Sequence, residues 1–148
     1  MEGSGQLIVL VTGGARSGKS SFAEKYAEKL GTDGIYIATA EARDEEMKQR
    51  IALHAKRRKE TSFNWITREA SIELPEELEK IRLQSRSQKA RQRVLLVDCL
   101  TLWLSNLLLS FDDPDQASNN VFPAIERLTD VLRRMKNNVL LVTNEVGD

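Results

Sequence analysis

The segment Gly13-Gly-Ala-Arg-Ser-Gly18-Lys19-Ser20 constrains this chain more than any other. It fits the pattern G-x-x-x-x-G-K-[ST] without exception, and its neighbours fit too. Leu7 to Val11 before it is an unbroken apolar run, which reads as a strand buried on both faces. After it, Phe22, Ala23, Tyr26, Ala27 and Leu30 recur at helical spacing, and Gly31 supplies a stop. Small residues at Gly13, Gly14, Ala15, Ser17 and Gly18 let a backbone wrap phosphates with its N–H groups inward. The start of the helix adds its positive end. Lys19 then reaches the β and γ phosphates, Ser20 offers a hydroxyl to Mg2+, and Arg16 adds a cation within the loop. The alternative is an incidental glycine turn before a helix. The loop alone does not say what becomes of the nucleotide, because kinases, motors, switches and nucleotidyl transferases share it.

The rest of the chain reads as the same kind of unit. Gly34 to Thr39 is a second strand, so strand, loop, helix and strand make a βαβ unit and a parallel sheet. Asp44 to Lys59 is a charged helix with a thin apolar stripe, Phe63 to Thr67 a short strand, and Pro75 the start of a further helix. Gln84 to Arg93 is basic with no apolar face, read as a solvated helix end or loop rather than a binding patch. Val94 to Val97 is a buried strand closed by Asp98, where an acid that orients magnesium belongs. Leu100 to Phe111 reads as a buried helix, Asp112 to Asn120 as a loop, and Val121 to Met135 as an amphipathic helix. Asn137 and Asn138 turn the chain into a last strand, Val139 to Val142. The predicted class is therefore α/β, a P-loop NTPase with a mainly parallel sheet flanked by helices. Residues 1–6 read as a flexible lead-in and 7–148 as a single nucleotide-binding domain.

Composition narrows the partners. Lys plus Arg and Asp plus Glu both number 22, which argues against bulk binding to nucleic acid or a membrane surface. No run is long enough to span a bilayer. The one cysteine, Cys99, excludes an internal disulfide and a cysteine-cluster zinc site, and suits a reducing, cytoplasmic setting.

His54 is the only histidine. Arg50, Arg57 and Arg58 lie three or four residues away and share or flank its face. Either it is an ordinary surface histidine, or it is a nucleophile that carries a phosphoryl or nucleotidyl group. Neighbouring cations favour the neutral imidazole that such a role needs.

Several segments in order resemble one family. They are Val11 to Ser20, Tyr36-Ile-Ala-Thr39, Asp44-Glu-Glu-Met47, Arg50-Ile51 with His54, Cys99-Leu-Thr101 with Ser105-Asn-Leu-Leu108, and Val142-Thr-Asn-Glu-Val-Gly147. Together they resemble the bifunctional adenosylcobinamide kinase / adenosylcobinamide-phosphate guanylyltransferase of cobalamin synthesis, from about Leu7 to Gly147. The resemblance implies phosphorylation of adenosylcobinamide with ATP or GTP. It also implies GMP transfer from GTP to adenosylcobinamide phosphate through a guanylylated histidine, whose place His54 takes. It implies nucleotide contacts at Ala38, Thr39 and Ala40, at Ala55, Lys56, Arg57 and Arg58, and at Glu69 as the acid facing guanosine. Asp98 stands where the family typically has Glu. A homo-oligomer, specifically a trimer, is implied as well. Family members continue past this point with a loop, a helix and final strands. The chain thus reads as truncated at its C-terminus, with the strand Val139 to Val142 expected to expose apolar surface. A plain small-metabolite kinase, or a truncated nucleotide-binding module without turnover, are the competing readings.

Overall fold

The computed structural model describes residues 6–13 and 18–144. Five strands form one sheet, all parallel, in the order β1-β5-β4-β2-β3. These are β1 (Ile8–Gly13), β2 (Gly34–Ala38), β3 (Trp65–Glu69), β4 (Val94–Asp98) and β5 (Val139–Asn144). The helices are α1 (Lys19–Ala27), α2 (Glu45–Lys59), α3 (Leu74–Gln84), α4 (Gln88–Arg91), α5 (Leu100–Leu109) and α6 (Pro114–Arg134). The P-loop NTPase-like α/β reading holds.

The apolar runs are continuous because the central strands bury both faces, and successive side chains serve opposite cores. Tyr36, Val94, Leu96, Leu140 and Val142 pack on one side with Ala23 and Ala27 of α1. Ile35, Ile37, Leu95, Val97, Val139 and Leu141 pack on the other beneath α3, α5 and α6. Gly13 pairs with Asn144, and Ala38 with both Asp98 and Glu69. The carboxyl ends of all five strands therefore lie along one edge, where open α/β sheets hold their ligands.

Five sequence expectations change. β5 is an interior strand between β1 and β4, so residues 139–142 are buried and expose no apolar surface. The exposure falls on β1 instead, which was expected to be buried on both faces. Among the described residues it is an edge strand whose Val9 and Val11 face α1, while Leu7, Ile8 and Leu10 are exposed. Asp112 to Asn120 is not a loop. Asp113 accepts a hydrogen bond from the Asp115 amide (3.0 Å) and Pro114 sits in the first turn, so this stretch opens α6. Leu100 to Phe111 is only partly buried: Trp103, Asn106 and Leu107 are interior, whereas Leu108 and Leu109 are exposed. The short strand also runs two residues later than expected, at Trp65–Glu69.

The basic stretch after α3 is solvated, as read. Arg86 Nε donates to the Leu83 carbonyl (3.2 Å) and Arg91 Nε to the Ser85 carbonyl (3.3 Å). These cations satisfy backbone oxygens at a helix C-terminus, where positive charge is favoured.

Candidate functional site

Gly18 is the hinge between loop and helix. Its φ is +76°, a left-handed conformation that a glycine adopts without strain, and its carbonyl accepts the Phe22 amide (3.1 Å). Gly14, Ala15, Arg16 and Ser17 lie outside the described residues. Lys19 and Ser20 open α1, whose first turn carries no acidic side chain. Ser20 Oγ donates to Asp98 Oδ2 at 3.1 Å, across two strands' width of sheet. Asp98 stands at the end of β4, beside Ala38 of β2. The Tyr36 hydroxyl also donates to Asp98 Oδ2. Burial, reinforced by that carboxylate, pushes the Tyr36 phenol far above its ordinary range and keeps it a proton donor.

A cavity of ≈ 240 Å³ lies over this point. Lys19, Ser20, Tyr36, Ala38, Arg50, His54, Arg58, Asp98 and Asn144 are among its walls. The glycine-loop residues and the histidine on a separate helix thus face one space. His54 is partly exposed on α2, and its Nδ1 lies 3.3 Å from Arg57 Nη2. Burial lowers its pKa below the ordinary 6.5, and Arg57, Arg58 and Arg50 lower it further, against an opposing pull from Asp98. The imidazole is therefore neutral at neutral pH, with a lone pair available to attack an electrophile.

A larger cavity of ≈ 760 Å³ adjoins the first and shares Ala38, Ala40, Ile51 and Arg58 with it. Ala55 and Glu69 also line it, so five of the nucleotide contacts implied by resemblance converge here. Lys56 lines neither cavity and is exposed. Arg57 lines neither either and acts on His54 from the side. Thr39 is wholly buried; its Oγ1 donates to the Cys99 carbonyl and accepts the Cys99 amide, both at 2.8 Å. Its side chain thus braces the β2 and β4 ends, and the neighbouring alanines line the cavities.

Four residues of this neighbourhood carried no role in the sequence reading. Tyr36 looked like one more core residue of a buried strand; a phenol amid isoleucines, needing a partner for its hydroxyl, was the available signal. Asn106, a lone amide in an apolar helix, donates to the carbonyls of Thr39 (2.8 Å) and Ser71 (3.0 Å). Its Oδ1 accepts from Arg43 (3.4 Å), so α5 clamps both turns at the strand ends. Asn144 ends β5 within the smaller cavity, and its backbone N–H donates to Thr101 Oγ1 at 3.1 Å. Glu24, one turn beyond Ser20, is buried with Oε2 unpartnered, and burial raises its pKa.

The family model for cobinamide kinase / cobinamide phosphate guanyltransferase matches residues 9–148. The chain belongs to this family. It is similar to the bifunctional adenosylcobalamin biosynthesis protein CobP of Pseudomonas aeruginosa, 44% identical over 138 residues, covering 93% of this chain and 71% of that protein. The bifunctional adenosylcobalamin biosynthesis protein CobU of Escherichia coli is 37% identical over 152 residues, covering 95% and 76% respectively. The Salmonella typhimurium protein of the same name is 34% identical over 155 residues, again covering 95% and 76%. The family reading made from the sequence motifs is borne out, and with it an enzyme of kinase and guanylyltransferase type in cobalamin biosynthesis. Among the described residues, no helix is long and apolar enough to cross a membrane.

Among the described residues no three His, Cys, Asp or Glu side chains converge, so there is no all-protein metal cage. The hydroxyl of Ser20 and the carboxylate of Asp98 instead offer two hard oxygens at one point. That donor set fits Mg2+ held chiefly by nucleotide phosphates and water.

Proposed function

We propose that the chain phosphorylates adenosylcobinamide with ATP or GTP and then transfers GMP from GTP to adenosylcobinamide phosphate through His54. The observation that carries this reading is that His54, Lys19, Ser20 and Asp98 line one cavity. In the first reaction the glycine loop and Lys19 hold the triphosphate. The substrate hydroxyl attacks the γ phosphorus and gives up its proton to water, the bond to the bridging oxygen breaks, and the nucleoside diphosphate leaves. Ser20 and Asp98 would hold Mg2+, which would supply neutralisation of the charge that develops on the transferred group.

In the second reaction the neutral His54 imidazole attacks the α phosphorus of GTP. A P–N bond forms, the bond to the β phosphate breaks, and pyrophosphate leaves. A phosphate oxygen of adenosylcobinamide phosphate then attacks the same phosphorus. The P–N bond breaks, His54 is restored, and adenosylcobinamide-GDP is the product. Arg58 and Arg50 flank the path of the phosphates, and Glu69 stands in the larger cavity, where a guanine offers N–H donors to a carboxylate.

GTP labelled at the α phosphate tests the transfer half. The expected result is an acid-labile, base-stable adduct on the wild-type chain that disappears in His54→Ala. No wild-type adduct, or an equal one in His54→Ala, would falsify it. Phosphorylation of adenosylcobinamide that survives His54→Ala and is lost in Lys19→Ala supports the kinase half; kinase activity that needs His54 overturns the division of labour.

A further inference from the structure

Tyr36 joins two parts of the site that the two reactions use separately. Its hydroxyl donates to Asp98 Oδ2, the oxygen that Ser20 also contacts. Its ring supports the guanidinium of Arg58, whose central carbon lies 3.6 Å from the ring centroid. Trp65 braces that ring edge-on, with centroids 6.2 Å apart. Arg58 is one helical turn beyond His54, on the same face of α2.

The attachment of α2 makes this contact decisive. Of the fifteen residues in α2, Arg58 is the only buried one. A helix ordinarily docks through an apolar stripe. This one docks through a cation, 4% exposed, whose Nε and Nη1 have no hydrogen-bond partner. Its Nη2 reaches Thr67 Oγ1 at only 3.4 Å, a weak bond. The face of the Tyr36 ring is therefore the main support for the guanidinium, and a desolvated cation–ring contact is the strong form of that interaction.

We propose that Tyr36 is a positioning residue for both reactions, its hydroxyl aiming Asp98 at the metal-bearing phosphates and its ring seating α2 so that His54 reaches the α phosphate. The inference rests on the function proposed above. It predicts that the two roles separate by substitution. Tyr36→Phe removes the hydroxyl and keeps the ring. Tyr36→Leu removes both.

The first measurement is the Mg2+ concentration at which a fluorescent, non-hydrolysable GTP analogue binds half-maximally. The midpoint should rise about tenfold in Tyr36→Phe, the scale on which outer partners of a metal ligand act. The second is amide hydrogen exchange of residues 45–59 without nucleotide. It should match wild type in Tyr36→Phe and speed up about tenfold in Tyr36→Leu, the scale of a desolvated cation–ring contact. His54 labelling by α-labelled GTP at saturating Mg2+ should fall with the second variant and not the first. Should Tyr36→Leu not fold, Arg58→Gln replaces it, with faster α2 exchange expected.

A wild-type midpoint in Tyr36→Phe overturns the hydroxyl role. Equal α2 exchange in Tyr36→Phe and Tyr36→Leu, or wild-type exchange in Arg58→Gln, overturns the seating role. A wild type that binds GTP and never labels at His54 refutes the transfer reaction instead, while the Mg2+ and exchange measurements still decide the case for Tyr36.

Discussion

Replacing Gly18 with alanine should destabilise the chain by strain alone. The residue sits at φ +76°, ψ 16°, and among the described residues nothing lies within 4 Å of where a Cβ would stand. No collision adds to the conformational term. A left-handed alanine costs about 1–2 kcal/mol, and the stiffer unfolded chain offsets about 0.4–1 of that. The expected net loss is about 1 kcal/mol, which lowers the melting temperature of a chain this long by about 3 °C. Thermal unfolding with and without Mg2+ and GTP reads both consequences. Gly18 leads directly into Lys19 and Ser20 at the start of α1, so a change in its backbone should also shrink the nucleotide-induced rise in melting temperature. A variant that melts with the wild type and keeps the full nucleotide shift would refute the reasoning. So would a loss well beyond 2 kcal/mol, because that needs a clash that the described residues around Gly18 do not make.

The Asn106 clamp and the protonation of His54 give two further tests. Asn106→Ala strands the carbonyls of Thr39 and Ser71 in a buried setting and should cost about 2–4 kcal/mol by urea unfolding, with weaker GTP binding from a loosened turn at Ala38; a loss under about 0.5 kcal/mol would remove the clamp. The pKa of His54 is lowered in the folded chain, so its neutral form persists below pH 6.5. Adduct formation should then hold its plateau from neutrality to below that pH and fall as pH drops through the folded value. Arg57→Ala should move the inflection upward, and a wild-type inflection at or above 6.5 would contradict the electrostatics. The same shift makes stability fullest above 6.5, with the His54 contribution lost as pH falls through the folded value, because the unfolded chain takes up the proton first.

The parts that depend on local pattern were legible in the sequence. Gly13 to Ser20 has its chemistry in consecutive residues, and the β2, β4 and β5 runs announce strands because both their faces are covered. Asp44 accepts the Met47 amide (2.8 Å) as the cap that the start of a charged helix calls for. The parts that depend on strand order were not. Leu7 to Val11 and Val139 to Val142 look alike as strings, yet one is an edge and the other interior. Nothing within either run encodes its neighbours. Tyr36 and Asp98 are 62 positions apart and meet only because β2 lies beside β4. The beginning of α6 was hidden by its composition, since Asp, Pro, Ser and Asn are both turn formers and helix initiators. Membership in a known family supplied His54 with a partner reaction; its cavity and its arginine neighbours supply the physical case.

Among the described residues, the strand that leads into the glycine loop has one neighbour, and that neighbour is the strand farthest from it in sequence. In the sheet order, β1 touches only β5, and the Leu7 amide donates to Asn138 Oδ1 across 131 positions (2.9 Å). A chain emerging from the ribosome therefore makes its nucleotide loop early and gives it a place to stand only after residues 139–144 have appeared. Until then Leu7 to Val11 is an unpaired apolar segment, the kind of surface that chaperones shield. Closing so distant a pair is slow. Chains that still lack residues 139–144 lack the strand that pairs with Gly13, so their affinity for phosphate should appear only once β5 has been made.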